Sequence, residues 1–169
     1  MLLPAEKIED VEYKDRTGMV RTPSPDSVFK QRYGAFLICF VGDHMLLSRS
    51  EHSGGDWELP GGGIDEGESA EQAVLRETYE ETSVEFGDVA IEKKHSQRIY
   101  YFALDSKQFW NYDQDYFVLS DPSLNHHIFD GIIKSPDNCD AKWIKISDLE
   151  DTNIRHDHNK ALQKLGYKD

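Results

Sequence analysis

The stretch GGGIDEGESAEQAVLRETYEETSV, residues 61–84, decides the fold of this chain and concentrates its acidic side chains. It opens on three consecutive glycines and continues into a run of good helix formers. Ser69 is typical of a helix N-cap, and Gln72 three residues later completes a capping box. β-branched Thr82 and Val84 predict that the helix ends near this point.

Three glutamates of this helix, Glu77, Glu80 and Glu81, are predicted to share one face, because residues three and four apart stack on a helix. At about 100° per residue they fall within an arc of roughly 100°. Like charges at this spacing repel by about 0.2–0.5 kcal/mol per pair, whereas a hard divalent cation would convert the repulsion into binding. The helix alone would also fit a solvated acidic face; the preceding glycines and Glu68 favour the metal site.

The chain before the helix indicates how a ligand could approach it. Residues 57–60 (WELP) are typical of a short strand stopped by proline, and the glycines follow directly. Consecutive glycines permit positive φ and leave backbone groups open to a ligand. A carbonyl of Gly61 or Gly62 could therefore face a metal, and nearby amides could meet phosphate oxygens.

These residues together resemble the Nudix box, G-x5-E-x7-R-E-U-x-E-E-x-G-U, in which U is apolar. The pattern falls on Gly62, Glu68, Arg76, Glu77, Thr78, Glu80, Glu81, Ser83 and Val84. Every charged position matches. Thr78 replaces the usual aliphatic residue, so we expect some loss of apolar packing beneath the helix. Ser83 replaces the usual glycine and must accept the backbone geometry that glycine supplies.

The resemblance implies an α+β fold, a Nudix-type α/β/α sandwich in which the box helix packs on a mixed β-sheet. It also implies a divalent-metal-dependent hydrolase that uses Mg²⁺ or Mn²⁺ to cleave a diphosphate linkage in a nucleoside diphosphate derivative. Sugar-nucleotides, dinucleoside polyphosphates and nucleoside triphosphates all remain open as substrates.

The roles of the box residues follow from the same resemblance. Glu77, Glu80 and Glu81 are expected metal ligands, assisted by the carbonyl of Gly61. Arg76 is expected to orient a box glutamate, and its position on the helix lets it reach Glu80 or Gln72. The catalytic base corresponds to Glu77 or Glu80 in some members and lies outside the box in others. Glu68 corresponds to a structural or outer acid.

One candidate ligand lies outside the box. In many Nudix enzymes a carboxylate a few residues before a tryptophan-containing strand completes the metal site. Asp140 precedes Trp143 by three residues and is therefore a candidate, with an ordinary turn aspartate as the alternative. His156 and His158 would converge on a strand but diverge at the start of a helix, so we expect no metal between them.

Length and charge limit the remaining possibilities. A chain of 169 residues favours one domain, with residues 1–30 as a polar N-terminal arm and residues 31–169 as a single Nudix domain. The net charge of −13, from 19 basic and 32 acidic residues, argues against nucleic acid and anionic membranes as partners. A small phosphorylated nucleotide remains compatible, because a metal supplies positive charge locally. An exchanged arm could produce a homodimer.

Two further features concern the cellular setting. No apolar run approaches the about 20 residues of a membrane-spanning helix. Cys39 and Cys139 lack neighbouring cysteines, which argues against a disulfide framework or a zinc site and favours a reducing, cytoplasmic setting.

Hydrophobic periodicity predicts the remaining elements, with a long loop over residues 121–137. The expected strands cover residues 35–41, 45–48, 85–94, 97–104, 116–119 and 141–146, and a terminal helix covers residues 157–164.

Two alternatives to a diphosphate hydrolase remain. A non-catalytic nucleotide-binding regulatory module could use the same fold, although the complete set of box acids favours catalysis. A prenyl diphosphate isomerase would need a catalytic cysteine, and Cys39 lies in an apolar run that we interpret as core.

Overall fold

The computed structural model describes residues 1–120 and 133–169, where the chain forms a mixed β-sheet with a helix on each face. The strands are β1 (Leu2–Pro4), β2 (Tyr13–Lys14), β3 (Val20–Arg21), β4 (Phe29–Val41), β5 (His44–Arg49), β6 (Gly61–Gly63), β7 (Glu92–Ala103), β8 (Gln108–Ser120), β9 (Ile133–Lys134) and β10 (Asp140–Lys145). The helices are α1 (Ala70–Thr82) and α2 (His156–Lys164). The expected α+β sandwich is confirmed.

The long strand β4 organises the sheet, whose strand order is β3-β2-β7-β8-β4-β5-β10-β9. β4 pairs in parallel with β8 along almost its whole length and antiparallel with β1, β5 and β6. The short strand β6 pairs with β4 from Gly34 to Phe36. This pairing holds the glycine turn against the centre of the sheet, directly before α1.

Alternation along β4 creates two cores. Leu37 and Cys39 point towards α1, where Val74 joins the same cluster of buried side chains. Phe36 and Ile38 point to the other face, which Leu162 of α2 covers. Because both faces of β4 are buried, its sequence reads as a continuous apolar run rather than an alternating one.

Three strand predictions need correction. Residues 57–60 form isolated bridges rather than a strand, from Glu58 to Ser48 and from Trp57 to Ile154. Residues 85–94 were expected to form a strand, or a pair of strands broken at Gly87, but residues 85–91 form no strand. Residues 92–94 belong instead to β7, which also covers most of the strand expected over 97–104 and has a pairing irregularity between Lys93 and His95. The strand expected over residues 116–119 extends back to Gln108, because its polar residues pair with β7 and β4 on both sides.

The strand expected over residues 35–41 also begins six residues earlier, at Phe29. The remaining elements lie close to their expected positions. α2 begins one residue before the expected helix and ends at the same residue. The loop expected over residues 121–137 lies mostly outside the described residues, and its described end includes β9. Within residues 1–30, β1 pairs with β4 and β2 pairs with β7, so the expected arm adds strands to the sheet. Neither helix has the length and apolarity needed to cross a membrane, within the ranges that the structure describes.

Candidate active site

The capping box at the start of α1 is present as predicted. The Ser69 hydroxyl accepts a hydrogen bond from the Gln72 amide at 3.1 Å, and the Gln72 side chain accepts one from the Ser69 amide at 2.9 Å. The helix ends at Ser83, whose φ of 60° and ψ of 10° lie in the left-handed region. Serine thus accepts the geometry for which glycine is usual at a helix end.

The unusual threonine of the box lies on the buried side of α1. Thr78 is fully buried, and its hydroxyl donates to the Val74 carbonyl at 2.6 Å. Thr82, one turn later, donates in the same way to the Thr78 carbonyl at 2.6 Å. Both hydroxyls are therefore satisfied within the helix, which limits the cost of burying polar atoms against the sheet.

Arg76 connects the acids of the box. Its Nε and Nη2 donate to the two carboxylate oxygens of Glu68, at 2.8 and 2.9 Å. Its Nη1 donates to Glu77 at 3.0 Å and to Glu80 at 3.2 Å. Of the two contacts predicted for Arg76, Glu80 is the one formed, since Gln72 is engaged in the cap. One guanidinium thereby fixes three carboxylates, and its hydrogen bonds lower the pKa of Glu68.

The glycine turn lies directly against these acids. A Cβ on Gly62 would lie 2.7 Å from the carboxyl carbon of Glu77. Gly61 has a φ of +143°, and a Cβ there would lie 2.2 Å from the Ala35 carbonyl oxygen of β4. Only glycines allow the backbone to fit between the sheet and the helix carboxylates. Burial raises the pKa of Glu77, against the opposing effect of Arg76.

Glu81 is the deepest acid of the group. Its Oε2 accepts hydrogen bonds from the Ser48 hydroxyl at 3.0 Å and from the Gly61 amide at 3.2 Å. Burial raises the pKa of Glu81 to about 8, and the neighbouring Glu58 and Glu77 add to this effect. Both hydrogen-bond donors are neutral groups, so no cation among the described residues contacts this carboxylate to stabilise its ionised form.

Glu58 is an acid near this site that the sequence interpretation did not single out. Its backbone pairs with Ser48, whose hydroxyl contacts Glu81, and burial raises its pKa. Arg155 lies 3.7 Å from its carboxylate. The position of Glu58 in the WELP segment, immediately before the glycines, could have indicated this acid. Its partner Arg155 could not be predicted, because it comes from a distant part of the chain.

Asp140, the candidate ligand outside the box, is not brought together with the glutamates. Its carboxylate pairs with Arg49 at 2.8 Å and with Lys134. Asp140 stands opposite Arg49 in the pairing of β10 with β5, whereas Ser48 stands opposite Ala141. Opposed residues share a face of the sheet, so Asp140 lies on the face away from Ser48 and Glu81. Its two cationic partners lower its pKa.

The acids meet two requirements of a Mg²⁺ or Mn²⁺ site. They offer carboxylate oxygens, the ligands that such cations prefer, and Glu81 is buried with no cationic contact from the part of the chain that the structure describes. Within residues 1–120 and 133–169, no three acidic, histidine or cysteine side chains already converge as ligands. Arg76 donates to both Glu77 and Glu80, so its guanidinium supplies the positive charge between these two acids.

The other candidates have structural roles. His158 is fully buried and its Nδ1 accepts from the Leu59 amide at 3.1 Å, while His156 lies against Gly18. The two histidines diverge, as expected at a helix start. Cys39 is fully buried in the core beneath α1.

The comparisons with known proteins give the family. The NUDIX domain model matches residues 30–165. The RNA pyrophosphohydrolase of Shewanella loihica is 44% identical over 57 residues, which are 33% of this chain and 31% of that protein. The first curated relatives are matched over only 8% to 43% of their own length.

Solved structures share the fold. The dihydroneopterin triphosphate pyrophosphohydrolase of E. coli superposes with a TM-score of 0.62 at 16% identity, over 79% of this chain and 93% of that chain. The NUDIX domain of Shewanella oneidensis NrtR, solved in complex with ADP ribose, gives a TM-score of 0.62 at 24% identity over 80% of this chain and 86% of that chain. With the family match over residues 30–165, these findings show that the chain belongs to the Nudix family.

Proposed function

We propose that this protein is a divalent-metal-dependent hydrolase that cleaves a diphosphate linkage in a nucleoside diphosphate derivative. One observation carries the proposal: Glu77, Glu80 and Glu81 of α1 stand beside a glycine turn that admits no side chain, and Arg76 holds two of them in place. Family membership and the named pyrophosphohydrolases among the relatives support the same reaction class.

Glu77, Glu80 and Glu81, with the Gly61 carbonyl, would hold Mg²⁺ or Mn²⁺. When bound, the metal neutralises charge on the phosphates of the scissile linkage. The structure gives no comparable support to Asp140, whose carboxylate is paired with Arg49 and Lys134.

The protein's own groups supply orientation and proton transfer. Arg76 fixes the direction of the Glu77 and Glu80 carboxylates, and Glu68 fixes Arg76 by two hydrogen bonds. Either Glu77 or Glu80 accepts the proton of the attacking water as general base. Burial raises the pKa of Glu77, which makes this carboxylate a stronger base than an exposed one.

The substrate is a small phosphorylated nucleotide, and the reducing cytoplasm is its expected compartment. Relatives include an RNA pyrophosphohydrolase and a domain solved with ADP ribose, so the family name alone does not choose among substrate classes.

A panel of nucleoside triphosphates, dinucleoside polyphosphates and sugar-nucleotides tests the proposal. Each compound is incubated with the protein and Mg²⁺ or Mn²⁺, and released phosphate, pyrophosphate and mononucleotide are quantified. We expect release that stops when the metal is chelated. Tight nucleotide binding without release from any compound would favour the regulatory module instead.

A further inference from the structure

A second feature lies beside the acidic cluster: a cavity of about 220 Å³ whose charged walls are mainly arginines. We name it the arginine pocket; its lining includes Arg16, Arg32, Arg155, Glu58, Tyr101 and Trp110. Pockets that enclose a whole small ligand usually measure about 300–1,000 Å³. The arginine pocket is therefore suited to one part of a nucleotide rather than to all of it.

The arginine pocket adjoins the glutamates on two sides. Arg32 lies against the glycine turn, since a Cβ on Gly63 would be 3.3 Å from its Nη2. The carbonyl of the same Gly63 accepts a hydrogen bond from Arg76 at 3.3 Å. On the other side, Glu58 pairs through its backbone with Ser48, the residue that donates to Glu81. The pocket is therefore a neighbour of the place where the glutamates would hold a substrate.

Two of the three arginines lack a carboxylate in direct contact among the described residues, although Arg16 interacts at longer range with Glu58 and Arg32 with Glu77. Arg155 is matched by Asp157, which accepts from its Nε and Nη2 at 2.6 and 2.8 Å. Over the ranges that the structure describes, neither Arg16 nor Arg32 forms an ion pair. The Nε of Arg32 is buried without a hydrogen-bond partner among the described residues. Burying a charged donor without a hydrogen-bond partner costs free energy, and a ligand that accepts the hydrogen bond would remove this cost.

The aromatic walls favour an anion over a nucleobase. The guanidinium of Arg32 lies 4.5 Å from the centre of the Trp110 ring, and that of Arg155 lies 5.0 Å from the centre of the Tyr101 ring. One face of each ring is therefore covered by a guanidinium and is not open to a base. What the walls present is planar guanidinium groups, which match the geometry of phosphate oxygens. Two acids, Glu58 and Asp105, also line the cavity but make no ion pair with Arg16 or Arg32 within the described chain.

We propose that the arginine pocket binds a phosphate group of the substrate beyond the linkage that is cleaved. This selects substrates with additional phosphates, namely nucleoside triphosphates and dinucleoside polyphosphates, over sugar-nucleotides. The inference rests on the proposed function, because it assumes that the substrate's diphosphate lies at Glu77, Glu80 and Glu81.

The kinetic test uses substrate pairs that differ only in the group beyond the diphosphate: ATP with ADP-glucose, and GTP with GDP-mannose. The variants are Arg16→Gln and Arg32→Gln, with Arg32→Lys as a milder change. Arg98→Gln is the matched control, since this exposed arginine of β7 pairs with Asp113 and lies outside the pocket. Circular dichroism and thermal unfolding verify the fold. Among the described residues the Arg16 side chain makes no hydrogen bond, and its backbone carbonyl, which accepts from the His156 amide, is retained in Arg16→Gln.

The wild type is expected to prefer the triphosphates. Arg16→Gln and Arg32→Gln should lower kcat/KM for them about 10- to 100-fold, the loss typical of a hydrogen bond to a charged group. The sugar-nucleotide rates should change by less than about threefold, within ordinary context effects. Equal losses on both classes, or a wild-type preference for sugar-nucleotides, would overturn the inference while leaving the hydrolase intact.

A binding experiment decides the question even if no substrate is hydrolysed. Inorganic tripolyphosphate is titrated calorimetrically into the protein with chelator present, so that neither metal nor turnover contributes. We expect binding that weakens at least about tenfold in Arg16→Gln and Arg32→Gln and is unchanged in Arg98→Gln. Absence of binding to the wild type, or equal binding to all variants, contradicts the arginine pocket. Absence of hydrolysis with retained tripolyphosphate binding contradicts only the proposed function.

Discussion

Arg76 and Glu68 form a two-point ion pair, with Nε to Oε1 at 2.8 Å and Nη2 to Oε2 at 2.9 Å. This pair ties the turn before α1 to the middle of the helix. It leaves Nη1 of Arg76 for Glu77 and Glu80. Arg76 therefore acts as a positioning residue that fixes the carboxylates on which the proposed chemistry depends.

Replacing Arg76 by lysine should separate geometry from charge. Lysine keeps the positive charge but lacks the planar fork, so it cannot hold Glu68 and both helix acids together. We expect kcat to fall about 10- to 100-fold, with a smaller change in KM, as for the loss of charge-assisted hydrogen bonds. Steady-state kinetics measure both constants. Arg98→Lys serves as control, and equal kinetics for the two variants would contradict the positioning role.

Glu77→Gln and Glu81→Gln test the proposed metal ligands directly. Each should lower kcat by about 10²–10⁴-fold at saturating Mg²⁺ while leaving the protein folded. Glu81→Gln should not reduce stability, because it removes an acid whose pKa burial raises to about 8. Glu71→Gln, in the exposed first turn of the same helix, is the matched control. Near-wild-type turnover in both site variants would defeat the assignment.

Gly62→Ala tests the close fit between the turn and the helix. The added methyl would lie 2.7 Å from the carboxyl carbon of Glu77 and must displace it. We expect metal-dependent turnover to fall at least about tenfold, because small misplacements of reacting groups are costly. Gly87→Ala is the control, since a Cβ there meets nothing within 4 Å. Unchanged turnover in Gly62→Ala would show that Glu77 tolerates displacement.

Ser83→Gly should stabilise the protein. Ser83 adopts a φ of 60°, and a non-glycine residue in this region costs about 1–2 kcal/mol. The greater freedom of glycine in the unfolded chain offsets about 0.5–1 kcal/mol of that gain, so we expect a net increase of about 0.5–1 kcal/mol in the free energy of unfolding. Urea denaturation provides the measurement. A decrease would mean that the serine hydroxyl contributes more than its backbone strain costs.

His158 should make stability depend on pH. Burial lowers its pKa from 6.5 to about 3 in the folded protein. Between these values the unfolded chain binds a proton that the folded protein excludes, so stability falls as pH decreases. The contribution is fully present above the unfolded pKa. At pH 4.5 the expected loss is about 3 kcal/mol, from about 1.4 kcal/mol per pKa unit.

His158→Gln tests this effect. Urea denaturation at pH 7.5 and pH 4.5 measures the free energy of unfolding of the wild type and of the variant. Glutamine can still accept the Leu59 amide hydrogen but does not titrate. The wild type should lose about 2–3 kcal/mol more than the variant on acidification, and His156→Gln should behave like wild type. Asp157 does not contribute to this difference. Its pKa is held well below the usual range, so the stability that it adds to the fold is lost only at lower pH. Equal losses in wild type and His158→Gln would show that His158 is protonated in the fold.

Most features that could be predicted from the sequence depend on residues that are close together in the chain. The capping box, the shared face of the three glutamates and the left-handed Ser83 each depend on residues within a few positions of one another. Asp140 could not be placed in this way, because its partner Arg49 follows from the register of β10 on β5. The same holds for Glu58 and the arginine pocket, where Arg16, Arg32 and Arg155 come from three distant segments. Residue spacing does not reveal such tertiary neighbours.

We expect the acids of α1 to hold a divalent cation against the substrate's diphosphate. Crystals grown with Mn²⁺ and a non-hydrolysable nucleotide analogue test it most directly, because Mn²⁺ can be located by its anomalous scattering. Anomalous peaks should be bound by carboxylate oxygens of Glu77, Glu80 and Glu81, with the analogue's phosphates on the same ions. Peaks at other residues, with the analogue bound away from the glycine turn, would contradict it.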